Sequence, residues 1–125
     1  MTSESGELKA SVRQVGQAVV CTFAGDLHQG TALQAQQALD EALGELPEVL
    51  AVDLSGVELL ASGGLNALLA ARTEAADRTV PMVLVAPSSG ARRVLEITDT
   101  AGLFPVYGTA EEAGRHGRDP AARGA

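Results

Sequence analysis

The sequence predicts an α/β fold built on a mixed five-stranded sheet in the order ββαβαβαβα, and three observations carry that prediction. From residue 30 onward, short apolar runs bounded by Gly, Pro and Ser alternate with segments of helical periodicity. The first two strand-like runs, Leu8 to Arg13 and Gln17 to Ala24, are joined by Gln14-Val15-Gly16, a hairpin length that makes them antiparallel. The run Met82 to Ala86 behind Pro81 is continuous in Met, Val and Leu, the pattern of a strand buried on both faces of a parallel sheet.

The remaining elements follow in order. Gly30 and Thr31 open a helix whose Ala32, Ala35, Leu39, Ala42, Leu43 and Leu46 share one stripe; Thr31 and Gln34 have capping-box spacing, and Pro47 stops it. A strand at 49 to 54 passes through a Ser55-Gly56-Val57 turn to a helix over about 63 to 76, with Ser62 as its N-cap. Pro87-Ser88-Ser89 caps a third helix with Ala91, Val94, Leu95 and Thr98 inward and Arg92, Arg93 and Glu96 outward, ended by Gly102. Leu103 to Tyr107 reads as the last strand and Thr109 to Ala113 as the start of a final helix. Residues 1–7 and 114–125 lack periodicity and read as a flexible N-terminus and a disordered tail around one domain over 8–113.

The chain has 125 residues, 46% of them hydrophobic, which suits a single core, and its very few aromatics leave that core to Leu, Val and Ala. Sixteen acidic against nine basic groups give a net charge of −7, which repels a phosphate backbone and argues against nucleic acid. The lone Cys21 lies in a strand-like apolar run, pairs with no other cysteine and reads as a small core residue of a reducing compartment. No apolar run reaches the roughly 20 residues that span a bilayer, and the acidic N-terminus is unlike a signal peptide, so the expectation is a cytoplasmic protein without membrane insertion.

Catalytic apparatus is not expected. Leu60-Ala61-Ser62-Gly63-Gly64 lacks the Gly-x-Ser-x-Gly elbow, and His28 and His116 are the only histidine bases. Cys21, His28 and His116 have no metal-ligand spacing, and no phosphate-binding glycine loop is present, so neither metal nor cofactor is expected. What the chain offers is a switch site. A phosphate on Ser62 would meet free N–H groups and the positive end of a helix dipole. On the following helix Leu65, Leu68, Leu69, Arg72 and Ala76 form the expected core stripe. Gly63, Ala67, Ala70 and Glu74, flanked by Asn66 and Ala71, leave a small-residue face that another protein's backbone can approach. Gly63 and Gly64 each cost a helix roughly 0.5–1 kcal/mol against Ala, which a turn that needs the glycine conformation, close approach of a partner, or N–H groups exposed to an anion would offset.

The segment Val52-Asp53-Leu54-Ser55-Gly56-Val57 through Ala61-Ser62-Gly63-Gly64-Leu65 resembles the STAS-domain family of anti-sigma-factor antagonists. So do Phe23-Ala24-Gly25-Asp26-Leu27-His28, similar to the family's Gly-Glu-Leu-Asp loop, and Ala86-Pro87 through Val94-Leu95 with Thr98 and Gly102-Leu103. The resemblance covers about residues 8–113 and implies the STAS fold and a small antagonist that binds a serine-kinase-type anti-sigma factor and releases a sigma factor. It implies that the kinase phosphorylates Ser62 to end binding and that a metal-dependent serine phosphatase restores it. Asp26, His28, Ala61, Gly63, Gly64, Asn66, Ala67 and Ala70 would face the partner. Three positions depart from the family pattern: Ala61 stands for its Asp, Gly63 for its second hydroxyl residue, and His28 for an Asp of the loop.

The competing expectation is a phosphorylation-independent STAS scaffold subunit of a membrane lipid transporter or a sensory complex, using the same face without serine chemistry. In either case one short domain with a one-sided docking face points to a monomer or weak dimer.

Overall fold

The computed structural model describes residues 7–116; residues 1–6 and 117–125, which make up most of the two expected frayed ends, lie outside the described residues. Strands β1 (Leu8–Val15) and β2 (Ala18–Leu27) pair antiparallel, with Val15 opposite Ala18 and Gly16 at φ 59° making the tight reversal between them. Both strands run longer than the sequence pattern predicts, and the connection shrinks to two residues. Helix α1 (Ala32–Gly44), strand β3 (Val49–Leu60), helix α2 (Ser62–Asp77), strand β4 (Met82–Val85), helix α3 (Ser89–Ile97), strand β5 (Val106–Tyr107) and helix α4 (Ala110–Ala113) follow. The sheet order is β1-β2-β3-β4-β5, with β2 to β5 mutually parallel. The predicted mixed sheet and element order are therefore those observed.

Strand alternation divides the core. Cys21, Phe23, Leu50, Val52, Leu54 and Leu84 face α1, α2 and α3, which contribute Leu39 and Leu43, Leu65 and Leu68, and Ala91 and Leu95. The opposite face packs Ala18, Val20, Val49, Ala51, Val83 and Val85 against Ala110 and Ala113 of α4. Cys21 is fully buried as a core residue.

Several local expectations change. The Ser55-Gly56-Val57 segment does not end β3; the strand runs through it to Leu60. It does so with two bulges, because Thr22 to Ala24 faces Asp53 to Gly56 and Gly25 to Asp26 faces Val57 to Leu59, each adding one residue to β3 over β2. At the first bulge Ser55 donates both its N–H and its hydroxyl to Asp53 Oδ1, at 2.9 and 2.7 Å.

Leu46 is not a core residue. Helix α1 ends at Gly44, and Leu46 follows at φ 51° with 72% of its surface exposed. Its N–H donates to Leu43 O at 2.9 Å, one of the two bonds of a Schellman ending; Pro47, without an N–H, cannot make the other. Helices α2 and α3 make both bonds, Thr79 to Ala76 with Val80 to Ala75, and Asp99 to Glu96 with Thr100 to Leu95. That motif stops α3, so Gly102 does not; Gly102 sits beyond it in a 3-10 turn, Ala101–Leu103, which takes Leu103 from the predicted last strand, and that strand is confined to Val106–Tyr107. Thr98, expected inward, is exposed and turns its hydroxyl back to Val94 O at 2.7 Å.

Thr31 and Gln34 do not form a capping box. Gln34 Nε2 donates to Leu8 O at 2.8 Å, across to β1, while Thr31 Oγ1 donates to Asp26 O at 2.7 Å. The first residues of the expected tail are ordered: Gly114 and Arg115 cap α4 through their N–H groups, and His116 Nδ1 lies 2.6 Å from the Tyr107 hydroxyl.

Candidate functional site

Strand β3 delivers Ser62 to the end of the sheet where β2 also stops. Leu27 and Leu60 are in register, and the next backbone N–H, that of Ala61, donates to Leu27 O at 2.9 Å. This fastens the start of α2 to the segment Asp26 to Thr31. The N-cap is Ala61, extended at φ −115° and ψ 178°, and not Ser62 as the sequence suggested. Ser62 is the first helical residue, exposed, and its hydroxyl is spent on no cap. The first helical hydrogen bond runs from Leu65 N to Ala61 O, so the N–H groups of Ser62, Gly63 and Gly64 precede it and form the positive end of the helix.

The two glycines have an internal reason. A Cβ on Gly63 would stand 2.6 Å from both Cα and N of Gln29 and 2.8 Å from its Oε1. One on Gly64 would stand 2.5 Å from the Leu27 carbonyl oxygen. Close approach of the Leu27 to Gln29 backbone is thus what demands them, and both are buried. Sequence reasoning identified the demand and left its source open between a glycine turn, a partner and an exposed anion site; the structure places it within the chain, at Leu27 and Gln29.

The open face of α2 is correspondingly turned. Gly63, Gly64, Ala67, Ala71 and Ala75 are buried against the rest of the fold, while Arg72 and Ala76, expected inside, are exposed and Leu69 is half-buried. Ser62, Asn66, Ala70 and Thr73 form the exposed stripe at helical spacing. Of the residues expected to face a partner, Asn66 and Ala70 share a surface with Ser62, Ala61 is half-buried beside it, and Gly63, Gly64 and Ala67 are removed from the surface by packing. Arg72 instead reaches across to donate its Nε to Leu103 O at 2.9 Å.

The segment beside Ser62 is held by its own hydrogen bonds. His28 caps a 3-10 turn, Gln29–Thr31, accepting the Gly30 N–H at Nδ1 over 2.9 Å, and its own N–H donates to Thr31 Oγ1 at 3.1 Å. Nδ1 therefore carries a lone pair and the neutral ring keeps its proton on Nε2. Asp26 and His28 are half-buried and Gln29 is exposed. Gln29 was missed by sequence reasoning; the Gly63-Gly64 pair was the signal that some residue must approach there.

Elsewhere, burial and, secondarily, the charge of Glu41 push the Cys21 thiol up to about 12, so it stays protonated and unreactive. Among the described residues no group of three or more His, Cys, Asp or Glu is arranged to hold a metal, and no helix is long and apolar enough to cross a membrane.

Comparison with known proteins agrees with this geometry. Residues 9–113 match the STAS domain family. The anti-sigma-F factor antagonist RsfB of Mycobacterium tuberculosis is 32% identical over 94 residues, 75% of this chain and 76% of its own. The crystal structure of an anti-sigma factor antagonist from Mycobacterium paratuberculosis superposes with a TM-score of 0.81 at 29% identity, over 94% of this chain and all of that one. SpoIIAA in its unphosphorylated form shares the fold with a TM-score of 0.73 at 19% identity, over 88% of this chain and 96% of its own. Matched along nearly all of its described length, the chain belongs to the STAS-domain family.

Proposed function

We propose that this protein is an anti-sigma-factor antagonist. It binds a serine-kinase-type anti-sigma factor through the surface around Ser62 and thereby releases a sigma factor. The observation that carries the reading is the exposed, uncapped Ser62 at the first position of α2, in a chain 32% identical to an anti-sigma-F factor antagonist. The partner docks on Ser62, Asn66 and Ala70 and on the adjoining segment of Asp26 and His28. The protein acts by binding and not by catalysis, in the cytoplasm, as a monomer or weak dimer.

Phosphorylation of Ser62 by the kinase adds about 1.5–2 negative charges and three acceptor oxygens. The helix end tolerates that charge, whereas a partner packed on Asn66 and Ala70 without a cation to meet it does not. A serine phosphatase resets the surface. ATP and metal belong to these partners.

Intact-mass measurement and phosphopeptide mapping on protein from its own cells test the switch. Phosphate on the peptide carrying Ser62, removed by phosphatase treatment, supports it. A peptide that stays unmodified while a co-purified kinase phosphorylates a related antagonist overturns the switch and leaves a constitutive scaffold.

A further inference from the structure

Beside Ser62 the helix presents nothing at position 63, and the group in front of that position comes from another part of the chain. Gln29 brings its backbone to 2.6 Å and its carboxamide oxygen to 2.8 Å of where a side chain on residue 63 would begin. A real Cβ would have to displace backbone atoms, so only glycine at 63 permits this approach. Conversely, the approach lets the Gln29 carboxamide fill the volume that a side chain at 63 would take. The position of Gln29 is over-determined, with the His28 cap on Gly30, the Thr31 hydroxyl bridging His28 N and Asp26 O, and the Ala61–Leu27 bond on either side of it.

We propose that Gln29 is a specificity-determining residue of the Ser62 surface, locked in place by Gly63, and that it supplies the polar contact there in place of a helix side chain. The inference rests on the reading of that surface as the anti-sigma docking site. An exposed carboxamide offers both a donor and an acceptor without charge, so Gln29 recognises a partner by hydrogen bonding to a backbone or amide group. Its strength does not depend on salt as an ion pair's does. Since the lock is built from backbone atoms of residue 29, changing residue 63 moves the contact, while changing the Gln29 side chain deletes it without disturbing the fold.

The test uses the full chain and, as probe, the anti-sigma-F factor of Mycobacterium tuberculosis, with affinity measured by calorimetry at two salt concentrations. Gln29→Ala is expected to weaken binding about five- to ten-fold, the scale of one interfacial hydrogen bond, with an unchanged melting temperature and unchanged salt dependence. Gly63→Ala is expected to weaken it at least as much, and Gln29→Ala is expected to add nothing in the Gly63→Ala background, since the contact is already displaced. Wild-type binding with Gln29→Ala unaffected, or with the two losses additive, overturns this inference and leaves the functional reading intact. No binding by the wild type, either to this factor or to the serine-kinase anti-sigma factors of its own cells, overturns the reading itself. The lock is also read without a partner: Gly63→Ala should shift the side-chain amide resonances of Gln29 in the free protein, and unshifted resonances reject it.

Discussion

The backbone N–H of Ala61 donates to the carbonyl oxygen of Leu27 at 2.9 Å, and that same oxygen lies 2.5 Å from where a Cβ on Gly64 would stand. One carbonyl thus fastens the residue before Ser62 and forbids a side chain two residues after it. Gly64→Ala should therefore destabilise the protein by about 1–3 kcal/mol, the cost of overpacking outweighing Ala's better helix propensity. Gly44→Ala is the control, because nothing lies within 4 Å of its added Cβ; it should stabilise by about 0.5–1 kcal/mol. Urea midpoints at constant m-value measure both.

Leu46 occupies the left-handed position after α1 with 72% of its surface exposed, so its side chain contributes little burial while its backbone bears the strain of φ 51°. Leu46→Gly should raise stability by about 1 kcal/mol. A fall in the urea midpoint would show that Leu46 packs usefully in solution.

Ser88 holds α3 twice. Its Oγ accepts the Ala91 N–H at 3.2 Å and donates its own proton to Val57 O at 2.7 Å, so the cap is tied to β3 next to its second bulge. Ser88→Ala should cost about 1–2 kcal/mol, from the lost cap and the unpaired carbonyl together. Ser88→Thr should recover most of it, since the hydroxyl is retained.

Cys21 gives a pH dependence with a definite sign. The unfolded chain releases the thiol proton near the ordinary value of 9.0, whereas the folded chain, where burial and then Glu41 disfavour the thiolate, holds it to about 12. Between those values the folded state binds the additional proton, so stability falls as pH rises. Urea titrations across that range should show the decline, and Cys21→Ala should flatten it. Below it, the native thiol should resist a disulfide reagent until the protein is unfolded.

For the switch, Ser62→Ala should bind the anti-sigma factor as tightly as the unmodified protein, and Ser62→Asp should bind more weakly. Equal affinity for the two would remove Ser62 from the control of docking.

The order and type of elements were legible because Leu, Val and Ala recur at the periods of strands and helices, and because Pro47, Pro81 and Ser88 punctuate them. The extent of β3 was not, since Ser55 and Gly56 carry a turn's composition while neighbouring strands hold them in the sheet. On α2 the small apolar residues give almost no amphipathic contrast, so a shift of the inner stripe from Leu69, Arg72 and Ala76 toward Ala67, Ala71 and Ala75, with Leu65 and Leu68 buried in either case, leaves little trace in the sequence. The Gly63-Gly64 pair marked a close approach of backbone beside Ser62. What it answers to lies at Leu27 and Gln29, more than thirty positions earlier in the chain, and no local pattern encodes that meeting.

The two bulges make the site depend on counting. Each lengthens β3 by one residue over β2, and together they set how far along the chain the strand travels before α2 begins. Removing one residue at Ser55 or Gly56 with the bulge retained would draw the next residue into each place beyond it and put Ser62 where Ala61 now stands. Its hydroxyl would then turn inward to cap the helix and cease to be free for a partner or a kinase. In this segment, insertions and deletions should therefore be far more damaging than exchanges of one residue for another, and homologous chains that keep the switch should vary here in composition while holding their length.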